Sequence, residues 1–246
     1  MIDILILFFY YNRPNIVLNA IDSLNKIEYK NFKIAFIDDG SDKPGESILK
    51  KHLSKDVLEK VNFYNTNTKK EEKLKMGGSV FGMFANKAIL ESNSTHAIML
   101  CDDDAIVEDY FKNLNNYFLN NDVNYCYSKV YFYNPEIEKY NKKNTISTFK
   151  HTGSFYDLNQ YDSPINPANK VDSSQVCWKI KCNIEKNIWF PYPKTRCLDS
   201  FFYQKMYENY GFCYPTNFYS QYKGTFFDQL GNRWSENKNE YDITLI

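Results

Sequence analysis

Residues 97–104 read Ala-Ile-Met-Leu-Cys-Asp-Asp-Asp, an apolar run that stops on three consecutive carboxylates. Ala97–Cys101 has the composition of a buried strand, and Asp102, Asp103 and Asp104 fall where that strand runs out. In open α/β sheets, ligands bind beyond the carboxyl ends of the strands. Three like charges packed together raise the free energy unless a cation or a solvated edge relieves them. A hard divalent cation with oxygen ligands is one relief, and it usually keeps waters and substrate phosphates in its shell. A solvated acidic turn after a core strand is the other, and these eight residues alone fit both.

The segments upstream decide the fold class. Ile2–Tyr10 is almost continuously apolar, as expected of a parallel strand covered on both faces. Pro14 suits a helix start, and Ile16, Leu18, Ala20, Ile21 and Leu24 follow at roughly helical spacing. Phe32–Ile37 predicts a second strand that halts at the turn sequence Asp38-Asp39-Gly40-Ser41. Glu46–Lys60 predicts an amphipathic helix, Val61–Tyr64 a third strand and Val80–Glu91 a further helix. Strands alternating with helical segments imply a parallel α/β sheet. Further on, Tyr125–Tyr133 and Val176–Ile180 predict strands, His151–Lys170 is polar and irregular, and Asp199–Tyr210 predicts a helix ended by Gly211. No internal repeat or low-complexity linker divides the 246 residues, so one domain is expected.

Composition narrows the function classes. Lys+Arg and Asp+Glu balance at 30 each, so no global field favours nucleic acid or an anionic membrane. With 21 Tyr and 19 Phe, aromatic rings have to build much of the core. Cys101, Cys126, Cys177, Cys182, Cys197 and Cys213 form no CxxC pair, and His52, His96 and His151 are scattered, which argues against zinc. Reduced thiols in a cytoplasmic protein are the simplest expectation. Met1–Tyr11 contains Asp3 and lacks a basic flank and a cleavage site, so it reads as a first strand, not a signal peptide. No run approaches the length of a transmembrane segment.

Four segments, in order, resemble family 2 of the GT-A glycosyltransferases. They are Phe8-Phe9-Tyr10-Tyr11-Asn12-Arg13-Pro14; the stretch Ala20–Asp42, with Tyr29-Lys30-Asn31-Phe32-Lys33 and Asp38-Asp39-Gly40-Ser41; Gly77-Gly78-Ser79 with Asn86-Lys87-Ala88-Ile89 and the Asp102–Asp104 cluster; and Leu198-Asp199-Ser200-Phe201-Phe202 with its helix. The resemblance covers about residues 2–213 and implies a Rossmann-like three-layer sandwich with a mostly parallel central sheet. Residues 1–110 would form the nucleotide-binding half, 111–225 the acceptor-side half and 226–246 a C-terminal tail. The implied donor is a UDP- or GDP-sugar, and the implied acceptor is a glycan or other hydroxyl.

Such chemistry needs these residue types. Glycosyl transfer breaks a sugar–phosphate bond while negative charge grows on a diphosphate, and a metal held by acidic side chains stabilises that leaving group. The resemblance makes Tyr11 the platform for the base and Asp39 the acceptor of its ring N–H, with Arg13, Lys75 and Gly78 along the donor. It divides Asp102 and Asp103 toward the donor and Asp102 and Asp104 toward Mn2+ or Mg2+, with a shift by one residue as the alternative. Asp199 stands where the family's general base lies, and Asp172 is the second candidate acid. Many relatives carry a late His as a further metal ligand. Here Gln221-Tyr222-Lys223 occupies that region, which leaves Lys223 as an alternative charge for the phosphates. Two other classes stay open. A haloacid-dehalogenase-type phosphatase also uses Asp-x-Asp after a strand, but places it on the first strand, and a non-catalytic nucleotide-sugar-binding protein would keep the fold without turnover.

Overall fold

Strand β1 (Ile4–Tyr10) is buried along its whole length in the computed structural model, which describes residues 1–76, 80–132, 163–168, 170–192 and 198–223. Gly78, the Tyr133 end of one expected strand, most of His151–Lys170 and the tail 226–246 lie outside the described residues. Successive side chains of a strand point to opposite faces. Ile4, Ile6, Phe8 and Tyr10 accordingly enter one hydrophobic cluster, and Leu5, Leu7 and Phe9 enter another. β2 (Phe32–Asp38) divides in the same way, Ile34 and Phe36 to the first cluster and Ala35 and Ile37 to the second. A strand apolar at every position therefore has two cores to fill, one on each face of the sheet.

The remaining strands are β3 (Val61–Asn65), β4 (His96–Cys101), β5 (Ala105–Ile106), β6 (Tyr125–Phe132), β7 (Val176–Lys179) and β8 (Tyr214–Lys223). They form one sheet in the order β3-β2-β1-β4-β7-β6-β8-β5. β3, β2, β1 and β4 run parallel, β7 is antiparallel to both its neighbours, β8 is parallel to β6, and β5 is antiparallel to β8. One face is covered by α1 (Val17–Asn25), α2 (Gly45–His52) and α6 (Tyr110–Asn120). The other is covered by α5 (Phe81–Glu91) and α8 (Leu198–Tyr210), whose Phe202 stacks on Phe190 with ring centroids 4.2 Å apart. This is the expected α/β sandwich with a mostly parallel sheet. Among the described residues, no helix is long and apolar enough to cross a membrane.

One local difference from the sequence pattern has a physical cause. The helix expected over Glu46–Lys60 breaks into α2 and α3 (Lys55–Leu58). Asn25, at the end of α1, donates to His52 O at 3.0 Å and accepts from Ser54 N at 2.8 Å, so its amide satisfies backbone groups on both sides of the break. The charged stretch after Thr68 folds as α4 (Lys70–Met76), and α7 (Lys181–Lys186) follows β7 directly. Cys126 and Cys177 face each other across β6 and β7 as free thiols.

Candidate active site

Parallel register brings three strand ends into one row. Tyr10 pairs with Asp38 and Phe9 with Cys101, so the residues that follow (Tyr11, Asp39 and Asp102) emerge at the same edge. The Asp38-Asp39-Gly40-Ser41 turn separates its two acids by role. Asp38 accepts from Ser41 N at 2.9 Å and from Gly45 N at 2.8 Å, which satisfies a first-turn N–H of α2. Asp39 points the other way and is completely buried. Gly40 adopts φ +70°, and a Cβ there would sit 2.3 Å from Thr68 O, so both conformation and space require glycine. Asn12, at φ +51°, donates from its backbone to Ser41 Oγ at 3.0 Å and accepts from Asp42 N at 2.8 Å, tying the end of β1 to this turn.

Asp39 forms a buried ion pair with Lys73 of α4 at 2.8 Å, and Lys73 also donates to Asp39 O. Thr66 Oγ1 donates to the same carboxylate at 3.3 Å. The Lys73 ammonium stands 4.4 Å over the centre of the Tyr11 ring, so Tyr11, Asp39 and Lys73 form one unit. Burial lowers the Lys73 pKa, and Asp39 opposes that shift. Lys75 is exposed on the same helix, two residues beyond Lys73, and it is Lys73 that reaches Asp39.

The acidic cluster is buried and internally compensated. Asp102 accepts from Tyr11 N at 2.9 Å and pairs with Arg13 at 3.4 Å; Arg13 also pairs with Asp103. Asp104 pairs with Lys223 at 2.6 Å, and Lys223 reaches Asp172 at 2.9 Å. The β5–β8 ladder explains that meeting: Ala105 faces Tyr222, and one step further along the ladder puts Asp104 opposite Lys223. Asp172 caps the 3₁₀ turn Ser173–Gln175, accepting from Ser174 N at 2.9 Å and Ser174 Oγ at 2.8 Å. Burial would push the Lys223 ammonium down, but Asp104 and Asp172 more than reverse it, and its pKa stands well above the usual lysine value.

Asp199 lies half-buried in the first turn of α8. Tyr203, one turn on, donates to Ser173 O at 2.8 Å and so holds this helix against the turn that presents Asp172. Burial raises the Asp199 pKa, Asp172 raises it further, and the Ser200 N–H and Lys223 partly offset the rise. Asp172, Lys223 and Asp199 thus share one electrostatic environment. Sequence reasoning missed Lys73, which lies in a run of charged residues, and left Lys223 as an alternative only.

The donor atoms test the expected Mn2+ or Mg2+. Asp102, one half of the expected pair, already accepts from Tyr11 N and Arg13. Cys101, Asp103 and Asp104 offer ligand atoms within 4.8 Å of one another. Burial pushes the Cys101 thiol well above its usual value, however, and a neutral thiol is a poor partner for a hard cation. Asp104 is engaged by the Lys223 ammonium, which would repel an incoming divalent ion. With Lys223 in this position, the set does not fit a resident hard divalent cation.

A three-layer α/β fold with acids and bases gathered at one edge of its parallel strands has the architecture of the GT-A fold. The chain belongs to glycosyl transferase family 2, whose sequence model matches residues 6–189. Its fold is similar to that of S. aureus TarS 1–349 solved with UDP-GlcNAc, at 15% identity and a TM-score of 0.68 over 89% of this chain and 58% of that one. The same TarS fragment in another crystal structure gives 16% identity and a TM-score of 0.65, over 90% of this chain and 60% of that one. A mannosyltransferase from Pyrobaculum calidifontis, solved with GDP-Man and Mn2+, matches at 12% identity and a TM-score of 0.60, over 93% and 60% of the two chains. The chain thus spans about three fifths of the length of these relatives. No curated protein sequence matches it.

Proposed function

We propose that this chain transfers a sugar from a UDP- or GDP-linked donor to a hydroxyl of a glycan or other acceptor, with inversion at the anomeric carbon, in glycan or surface-polysaccharide synthesis. The observation that carries this proposal is the convergence of acids from the two halves of the chain. The Asp102–Asp104 cluster comes from the end of β4, and Asp199 from the head of α8 shares the surroundings of Asp172 and Lys223. Membership of family 2, and folds similar to proteins solved with UDP-GlcNAc and GDP-Man, support the donor class.

In this proposal the donor lies across the ends of β1, β2 and β4. Its base meets the Tyr11–Asp39–Lys73 unit, and its diphosphate runs past Arg13, Asp102 and Asp103 toward Lys223. Lys75 belongs to the same donor side, and the resemblance adds Gly78, which lies outside the described residues. Asp199 faces the anomeric carbon from the acceptor side. It takes the proton of the acceptor hydroxyl as the new C–O bond forms and the sugar–phosphate bond breaks. A base raised above the ordinary carboxylate range removes such a proton more readily. Negative charge grows on the departing diphosphate, and fixed cations aimed at it lower the barrier because they need no reorganisation at that moment.

The test is Asp199→Asn. Loss of a general base typically costs about 10²–10⁴-fold in rate. Turnover on a panel of UDP- and GDP-sugars with hydroxyl acceptors should fall by that much, while affinity for free UDP or GDP changes less than about twofold, since a base acts on acceptor and not on donor. Near-parental turnover, or a product that retains the anomeric configuration, would sink the assignment and make Asp172 the next acid to test.

A further inference from the structure

We propose that Lys223 is the resident cation of this site, a side-chain ammonium that binds the donor diphosphate in the position a divalent metal would otherwise take. The inference rests on the transferase reading above and specifies how that site handles the leaving group's charge.

Three features of the geometry carry it. First, Lys223 is set in place by the sheet. It ends β8, pairs with Phe132 of β6 on one side, and lies one step past the Ala105–Tyr222 pair on the other. Gln221, two residues earlier, donates from its side chain to Met99 O of β4 at 2.8 Å, which locks the end of β8 beside the strand that carries the acidic cluster. Second, the ammonium is gripped from two sides, by Asp104 at 2.6 Å and Asp172 at 2.9 Å, with only 7% of the residue exposed. These carboxylates come from separate elements, the end of β4 and the cap of a 3₁₀ turn, and both meet this nitrogen. Third, an ammonium has three donors. Two are directed at carboxylates among the described residues, and a third donor is available in principle to an anionic oxygen. The diphosphate supplies such oxygens, and a charge-assisted hydrogen bond to one of them is among the stronger contacts available in a buried site. Meanwhile, Asp102 accepts from Tyr11 N and Arg13. The acids that read as a metal pair are thus distributed between two organic cations, Arg13 and Lys223.

The experiment compares binding of UDP and of GDP to the full chain, by calorimetry, in excess chelator and in saturating Mn2+. A resident ammonium predicts affinities that differ by less than about threefold between the two conditions, because no ion has to be loaded. Lys223→Met should weaken binding about 10–100-fold in chelator, the worth of one hydrogen bond to a charged group. Lys223→Arg should restore most of it. Electron paramagnetic resonance of Mn2+ with the parent chain should find no ion immobilised by protein and nucleotide together. The parent chain decides by itself if the Met variant fails to fold. Affinity that rises about tenfold or more with Mn2+, or one Mn2+ held per chain in the nucleotide complex, would overturn the assignment and leave the transferase reading standing. Absence of UDP and GDP binding under both conditions would overturn both.

Discussion

Replacing Lys73 by Met should destabilise the protein far more than an ordinary lysine substitution. Lys73 and Asp39 are both fully buried, 2.8 Å apart, and the ammonium also donates to the Asp39 carbonyl. At that separation, and at an effective dielectric of about 20, the gross attraction is about 6 kcal/mol. Most of it is offset by the cost of taking both ions out of water, so the pair's net contribution is small. Truncating one partner is a different matter, because the other charge stays buried without its counter-ion. Such truncations cost about 3–5 kcal/mol. For a domain of this size each kcal/mol is worth about 2–4 °C, so the midpoint should fall by about 6–20 °C.

The assay is a double-mutant cycle of Lys73→Met, Asp39→Asn and the pair together, followed by urea unfolding at pH 7. Each single variant should lose several kcal/mol. The double variant should lie closer to the parent than either, because no unpaired charge remains, with a coupling energy of about 2 kcal/mol or more. Single variants within about 1 kcal/mol of the parent, or effects that add to within about 0.5 kcal/mol, would refute the buried pair.

Two further outcomes follow from residues outside the reacting centre. Asp38→Ala removes the acceptor of two backbone N–H groups, at Ser41 and Gly45, and should cost about 2–4 kcal/mol in urea unfolding. His96 is buried against Phe118, with its Nε2 unpartnered among the described residues, and burial, helped by Lys179, pushes its pKa down from 6.5 to about 4. The unfolded chain therefore binds a proton that the folded chain does not. Stability from this group is intact above pH 6.5 and is lost as pH falls toward about 4, by up to about 3 kcal/mol. His96→Gln should remove that part of the slope between pH 7 and 4, and an unchanged slope would show that His96 does not carry it.

Much of the framework was legible because burial leaves a dense local record. Ile4–Tyr10 and Phe32–Ile37 are apolar at nearly every position because two cores claim alternate side chains, and each run halts at the edge where Tyr11, Asp39 and Asp102 emerge. The acids were legible for the complementary reason: Asp102, Asp103 and Asp104 are contiguous, and three charges directly after a buried strand have no ordinary place in a core. The cations left no such record. Lys73 sits in the run Lys69-Lys70-Glu71-Glu72-Lys73-Leu74-Lys75, where every charge looks solvated. What separates it from Lys75 is helical phase, since two residues turn a helix by about 200°, to nearly the opposite face. Choosing the right lysine requires knowing which face of α4 lies on Tyr11, and nothing local states that.

Lys223 was harder still, because the strand that carries it violates the pattern by which strands are found. β8 includes Pro215 and buries Thr216, Ser220 and Gln221, so polar groups occupy positions where alternation would call for apolar ones. Those groups have partners in the rest of the fold: Thr216 donates to Ser128 Oγ, Ser220 to Lys129 O and Gln221 to Met99 O. The last of these bonds joins residues 122 apart in sequence, and the Lys223–Asp104 bond joins residues 119 apart. Asp102, Asp103 and Asp104 come as a block, whereas the cations that meet the acids at this edge arrive singly: Lys223 from β8, Lys73 from α4 and Arg13 from the loop after β1. In the proposed reading, the acidic motif marks the edge where the donor would bind, and Lys223 at the end of β8 is the cation proposed to complete it.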